Sequence, residues 1–252
     1  MTEKRITILD IPFDKVTLHG ILERTLNILK HPSSKPFFIA TPKPEMLLAA
    51  RKNSFFKNVL QQTDLNIPDG FGVLLASKII RSTLPERVTG TDLMQEICIH
   101  APAGTKFFLL GAAPGVAEKV KTELEKLNPA IEIVGALSSS PAHIHEKDLH
   151  SSINYHKPDI LFVAFGAPKQ ELWLSRNLPY FHSVKIAMGV GGAFDFLAGV
   201  RKRAPGWMRK CGLEWLYRLI QQPGRVHRIF NATIKFPVLF LLSLLWKKEN
   251  EP

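Results

Sequence analysis

The chain has 252 residues, enough for one large α/β domain with an appendage or for two modest domains, and 45% apolar against 22% charged side chains is an ordinary globular balance. Two distant cysteines, Cys98 and Cys211, exclude a disulfide framework and a cysteine zinc site and fit a reducing, cytosolic setting. The net charge of +11 is concentrated at one end: residues 201–248 hold eleven Lys and Arg against the single acid Glu214, while residues 1–200 hold 22 basic and 19 acidic side chains. Such a block suggests an anionic partner, whether nucleic acid, a membrane surface or a polyphosphate ligand. Residues 6–13 are too short and interrupted for a signal-peptide core. No apolar run reaches the roughly 20 residues needed to span a bilayer; residues 236–246 come nearest.

Residues 6–11 read as a first strand, and residues 16–29 carry the apolar spacing of an amphipathic helix ending near His31 and Pro32. Residues 37–40 form a buried strand, followed by the loop Thr41-Pro42-Lys43-Pro44 and a helix over residues 45–51. The prolines flanking Lys43 hold that loop extended and its backbone partly unpaired, as in a ligand-facing loop. Residues 65–68 make a short strand that stops at Pro68, presents Asp69, turns on Gly70 and runs into a helix over residues 73–80. The stretch from Arg87 to Asp92 opens another helix with Thr91 or Asp92 as N-cap. The strand over residues 106–110 enters a small-residue loop, Gly111 to Val116, and then a helix over residues 117–127. Small residues there let a phosphate or ribose approach backbone N–H groups at the helix N-terminus. Residues 131–134 are a further strand, and the histidine-rich segment 143–156 reads as a solvated helical face without metal-ligand spacing. Residues 158–165 are the clearest buried strand, ending in Gly166-Ala167-Pro168-Lys169-Gln170-Glu171 ahead of a helix. Residues 185–188 supply the last strand, closing on Gly189, Gly191, Gly192 and Asp195.

Repetition of strand, Gly/Pro loop and helix predicts an α/β fold with a doubly wound, mostly parallel, Rossmann-like sheet whose loops open on one edge. Residues 1–199 form that domain, and residues 200–252 form a basic, amphipathic, helical C-terminal appendage. In the appendage, Arg225, Arg228 and Lys235 accompany Phe236, Phe240 and Trp246, the composition of a segment lying in a membrane interface or of a charged helix packed on its own domain. The crevice at the strand ends collects Thr41, Lys43, Asp69, Arg87, Gln170 and Asp195. Asp69 is placed either to take a proton or to cap the helix that follows it. A guanidinium fork suits a diphosphate, and Arg218, Arg225 and Arg228 share one helical side if the break at Pro223-Gly224 is mild. Incomplete G-x-G-x-x-G motifs at Gly111 and Gly189 count against a nucleotide-cofactor oxidoreductase. A nucleic-acid-binding module is disfavoured because the tail's charges are interleaved with Leu and Trp.

The ordered set Thr41-Pro-x-Pro-Glu45, Ile67-Pro-Asp-Gly-x-Gly72, Arg87-Val-Thr-Gly-Thr-Asp92, Phe108-Leu-Leu-Gly111, Gly166-x-Pro-x-Gln-Glu171 and Gly191-Gly-Ala-Phe-Asp195, closed by an Arg/Trp-rich tail, resembles the WecG/TagA/CpsF family of glycosyltransferases. The resemblance covers nearly the whole chain. It implies an inverting, metal-independent enzyme that needs no cofactor and moves N-acetylmannosamine, or a related hexose or uronic acid, from a UDP-sugar to a sugar on a polyprenyl diphosphate. The implied pathway is cell-surface polysaccharide synthesis of the teichoic acid, enterobacterial common antigen or capsule type. It implies that Asp69 is the general base, with Thr41 beside it, and that Thr41, Gln170 and Asp195 line the donor pocket. Lys43, Arg87, Gly111, Gly191 and Gly192 join them as substrate-binding positions, and Arg218, Arg225 and Arg228 receive the diphosphate or acceptor. The appendage would touch the inner face of the cytoplasmic membrane, with no nucleic acid as partner and with a homo-oligomer left open. Lys43 departs from the family, which usually has Asn there. That lysine could pair with the diphosphate, signal a uronic acid or other altered sugar, or mark weakened activity.

Overall fold

The computed structural model of the chain describes residues 5–140 and 145–250. The segment expected to be one strand over residues 6–11 is a hairpin, β1 (Arg5–Ile8) and β2 (Ile11–Asp14), turning at Leu9 and Asp10 with φ of 47° and 65°. Consecutive positive φ values are those of the primed two-residue turn, whose twist matches that of paired strands. Asp14 fastens the hairpin to the body of the protein: one carboxylate oxygen accepts from Arg5 Nε at 2.8 Å, the other from the Asn66 backbone N–H at 2.8 Å.

Six strands, β3 (Phe37–Ala40), β4 (Leu65–Asn66), β5 (Lys106–Gly111), β6 (Glu132–Leu137), β7 (Ile160–Ala164) and β8 (Ile186–Gly189), pair in the order β4-β3-β8-β7-β5-β6, every pair parallel. Side chains alternate across this sheet. Ile39, Phe107, Leu109, Phe162 and Met188 lie in one buried cluster with Ile21, Leu22 and Leu29 of α1 (Leu18–Lys30), and Phe108, Leu110, Leu161 and Val163 belong to a second cluster on the opposite side. Both faces are therefore buried, which explains why these strands read as continuous apolar runs rather than alternating ones. The fold is α/β with a Rossmann-like parallel sheet, as the sequence predicts.

Helices α2 (Pro44–Lys52) and α3 (Ser54–Gln62) follow β3, and α3 is an element the sequence reading lacks. Asn53 ends α2 and caps α3, its side chain accepting from the Phe56 N–H. Helix α4 (Phe71–Ile79) follows Asp69, and α5 (Gly90–His100) is capped by Thr89, not by Thr91 or Asp92. Thr89 Oγ1 accepts from the Asp92 N–H and donates to the Asp92 carboxylate, so Asp92 is the third residue of the helix and closes a reciprocal cap. Helices α6 (Val116–Leu127), α7 (Glu146–His156), α8 (Lys169–Asn177) and α9 (Ala193–Leu197) complete the layers. In the histidine-rich segment, His150 stacks on Tyr180 and His156 bonds the Ser152 carbonyl, while His143 lies outside the described residues.

The C-terminal part comprises α10 (Gly206–Lys210), α11 (Glu214–Gln221), a turn at Pro223–Arg225, α12 (Val226–Phe230), a π-helical turn at Asn231–Lys235 and α13 (Phe236–Asn250). From Val226 to Trp246 these segments form one helix of 21 residues, whose most apolar 18-residue stretch has a mean hydropathy of 1.7. By length and composition this helix could cross a membrane, which corrects the expectation that no segment reaches that size. Arg228 and Lys235 interrupt the apolar run in sequence, but the helix continues through both. Phe236 and Phe240 bury themselves against Met46, Leu47 and Val73 of α2 and α4, so one side of the helix is docked on the protein.

Candidate active site

The loops that follow β4, β3, β8 and β7 leave four neighbouring strands at their carboxyl ends, the edge at which open α/β sheets bind ligands. Beyond β4, the Ile67 N–H bonds the Ala40 carbonyl at 2.9 Å and the Pro68 carbonyl accepts from Val88 at 3.2 Å, holding Asp69 between two fixed neighbours. Gly70 permits the close approach of α2: a Cβ there would sit 2.8 Å from Pro44 Cδ. The Asp69 carboxylate is buried and accepts from the Gly90 N–H at 3.2 Å, so it serves the N-terminus of α5 rather than capping α4. The same oxygen lies 3.0 Å from Lys43 Nζ. Thr41 is also gathered here, since a methyl on Gly90 would come within 3.4 Å of its hydroxyl oxygen.

Across the crevice, Gln170 ties two loops together. Its Oε1 accepts from the Gly166 N–H at 3.1 Å and the Gly191 N–H at 3.0 Å, and its Nε2 donates to Glu171 Oε1 at 2.7 Å. Burial pushes the Glu171 carboxyl up to about 7, against the opposing pull of the Gln170 hydrogen bond and the Lys43 charge. Asp195 lines the same pocket as Thr41 and Gln170 and pairs with Arg201 at 2.9 Å.

Two pockets meet at a common wall. The first is lined by Thr41, Gly166, Gln170, Gly191, Gly192 and Asp195. The second is lined by Asp69, Phe71, Arg87, Trp215, Ile229 and Thr233, and is closed by α11 and α12. Lys43, Glu45, Arg218 and Arg228 belong to both. The break at Pro223-Gly224 is mild enough that Arg218 and Arg228 reach one wall; Arg225 closes the intervening turn, and its side chain lies outside the described residues. Gly111 is not among the residues lining either pocket; its φ of 108° and the 2.9 Å that a Cβ would leave to the Ala164 carbonyl carbon give glycine a packing reason there.

Several residues of this site are not among the candidates that the sequence offers for it. Glu214 bridges the appendage and the domain, pairing with Arg87 at 3.4 Å and with Arg218. Phe196 carries the Arg218 guanidinium over its ring at 5.1 Å. Arg203 forks onto Asp92 at 2.6 and 3.2 Å. Burial disfavours the Asp92 charge, yet the Arg203 and Thr89 hydrogen bonds outweigh it and hold the carboxyl below its usual range. The basic tail is thus joined to acids of the α/β domain, a pattern unlike a row of cations facing a phosphate backbone.

Comparison with known proteins adds a second, independent line. The model of the Glycosyl transferase WecG/TagA/CpsF family matches residues 6–250. The chain is similar to the N-acetylglucosaminyldiphosphoundecaprenol N-acetyl-beta-D-mannosaminyltransferases of Staphylococcus aureus strains MRSA252 and MW2, at 32% identity over 231 residues, covering 91% of this chain and 90% of each relative. A crevice walled by carboxylate, lysine and arginines at the strand ends, a family match spanning nearly the whole chain and relatives aligned over nine-tenths of their length agree: the protein belongs to the WecG/TagA/CpsF family of glycosyltransferases.

Proposed function

We propose that the protein is an inverting, metal-independent transferase that moves N-acetylmannosamine, or a related hexose or uronic acid, from a UDP-sugar to a polyprenyl-diphosphate-linked sugar during cell-surface polysaccharide synthesis. The observation that carries this is the wall shared by the two pockets. Lys43, Arg218 and Arg228 stand where a polar, glycine-lined pocket meets one that contains Asp69 and apolar groups of α4 and the tail. A nucleotide sugar in the first pocket and a lipid-linked acceptor in the second bring donor and acceptor together beside Asp69. The name of the S. aureus relatives gives a diphosphoundecaprenol-linked N-acetylglucosamine as their acceptor and N-acetylmannosamine as the sugar they transfer, which supports the acceptor half of this reading.

Asp69 takes the proton of the acceptor hydroxyl as that oxygen bonds the anomeric carbon from the face opposite the diphosphate. The anomeric carbon–oxygen bond breaks, and UDP leaves with the electron pair. Guanidiniums already fixed by Glu214 and Phe196 meet the charge that develops on the diphosphate, a role that costs little reorganisation at the moment of reaction. The chain also lacks the D-x-D pair with which many transferases hold a divalent cation on the diphosphate.

Two apolar stripes support membrane association. Phe71, Leu75 and Ile79 are exposed along α4, and Phe230, Ile234 and Val238 are exposed at four-residue spacing on the C-terminal helix. Because Phe236 and Phe240 dock that helix on the domain, it fits a peripheral position on the cytoplasmic face better than a crossing. The test is UDP release by the full chain in detergent with EDTA, given a lipid-linked amino-sugar acceptor and a panel of UDP-sugars. Release should require the acceptor, survive EDTA, and fall about 100-fold or more in Asp69→Asn, the usual scale of a lost general base. Near-wild-type release by Asp69→Asn would remove Asp69 from the role, and dependence on added metal would overturn the metal-free route.

A further inference from the structure

Gln170 presents its amide oxygen to two backbone donors, Gly166 N–H at 3.1 Å and Gly191 N–H at 3.0 Å. The two ends of a glutamine amide have nearly the same shape and opposite hydrogen-bonding character. Rotated by half a turn, the NH2 group would face two N–H donors and the loops beyond β7 and β8 would lose their link. What chooses between the two orientations lies behind the amide. Glu171 is fully buried and its Oε1 accepts from Gln170 Nε2 at 2.7 Å, an interaction only the observed orientation makes. The other oxygen, Oε2, is buried without a hydrogen-bond partner. Gly189 opens the space in which the amide sits, since a Cβ there would lie 2.5 Å from Nε2.

We infer that Glu171 is a positioning residue of the transferase: it locks the Gln170 amide so that one oxygen clamps the Gly166 and Gly191 loops, which form one side of the donor pocket. This rests on the donor assignment above for its consequence, although not for the clamp itself. A fully buried carboxyl with one oxygen unpaired among the described residues is a poor choice for stability alone, because burying such a group costs free energy that a well-packed apolar side chain would not. Its retention there is explained by the acceptor it supplies to Nε2.

The test uses amide hydrogen exchange in the full chain, comparing wild type with Glu171→Met, similar in length but without an acceptor, and Glu171→Gln, which keeps one. Exchange at Gly166 and Gly191 should quicken about tenfold in Glu171→Met, the scale of one lost hydrogen bond, and stay within about twofold in Glu171→Gln. Unchanged protection in Glu171→Met, or equal loss in both variants, overturns the clamp. Should Glu171→Met fail to fold, the wild-type side-chain amide of Gln170 decides: its Nε2 protons should exchange slowly and show hindered rotation, and free rotation overturns the proposal. UDP affinity and donor KM should weaken about tenfold in Glu171→Met while kcat at saturating donor changes less than threefold; kcat and KM collapsing together would mark a general structural role. If wild-type protein binds no UDP while the exchange pattern appears as expected, the donor assignment fails and the clamp stands.

Discussion

Phe236→Ala tests whether the C-terminal helix is a docked part of the site. Phe236 is 1% exposed, stacks on Phe240 with ring centres 6.1 Å apart, and lies against α4, where a Cβ on Gly72 would sit 3.5 Å from its ring. Truncating a buried phenylalanine costs about 3–5 kcal/mol. Phe240, buried in the same cluster, is a second anchor and keeps part of the helix's contact, so the loss falls at the low end of that range; the Arg87–Glu214 pair belongs to α11. Since each 1.4 kcal/mol is a factor of about ten, losing this anchor while Phe240 remains shifts the docking equilibrium by roughly two orders of magnitude. The six-stranded sheet, whose two faces pack mainly in clusters that lack Phe236, should keep its melting temperature to within a few degrees. Arg228 lies on the same helix and should leave the pocket wall with it. Hydrogen exchange should therefore quicken over residues 226–246 and stay slow over residues 106–111, while UDP release falls at least tenfold. Unchanged protection over residues 226–246 would refute this account of docking, and cooperative loss of the sheet would show that the helix belongs to the main core.

Glu214→Gln should lower kcat/KM about tenfold with little change in melting temperature, because Arg87 and Arg218 lose their common counter-charge; unchanged kinetics would show that the bridge does not position them. Lys43→Asn, which restores the residue the family usually carries, should raise donor KM about fivefold and flatten its dependence on salt, as expected when a cation facing an anionic ligand is removed; an unaltered KM would leave Lys43 as a partner of Asp69 alone. Glu171 titrates in the fold near 7, above the ordinary carboxyl value of 4.5, so the stability it allows is full below pH 4.5 and is lost as pH rises through about 7. Glu171→Gln should remove up to about 3 kcal/mol of that loss, measured as the difference in urea unfolding between pH 5 and pH 8, and identical slopes for variant and wild type would refute it.

Where a segment's fate depends on its own residues, the sequence was readable. Strands β5 and β7 announce themselves as apolar runs because helices cover both faces of a parallel sheet, and Pro68 and Gly70 mark the end of β4. Helix α3 was also available, with Asn53 as cap and Phe56, Val59 and Leu60 on its buried side, but its nine residues sit directly against α2. The turn at Leu9 and Asp10 was harder. Neither residue is glycine, although both adopt positive φ, so the hairpin carries no N-G or D-G signal and the two short strands merge into one. In the tail, Arg228 and Lys235 broke the hydropathy pattern that the continuous helix restores.

The site divides along a different line. Loops that follow strands could be listed from glycine and proline spacing, which is why Thr41, Asp69, Gln170 and Asp195 were found. Which charges meet depends on the strand order, and spacing does not encode that order. Lys43 reaches Asp69 because β3 and β4 are neighbours; Gln170 reaches Gly191 because β7 and β8 are. Arg87 and Glu214 stand 127 residues apart, and Arg203 and Asp92 stand 111 apart. From sequence, the tail's arginines looked like free cations awaiting an anion, whereas several are already held by carboxylates of the fold. That changes what the tail can do: under the proposed function, arginines fixed by Glu214 and Asp195 would meet a diphosphate as a preset wall rather than as a mobile basic arm. Under that reading the tail must be docked before the donor binds, so Phe236, an apolar anchor, belongs with the arginines in explaining turnover.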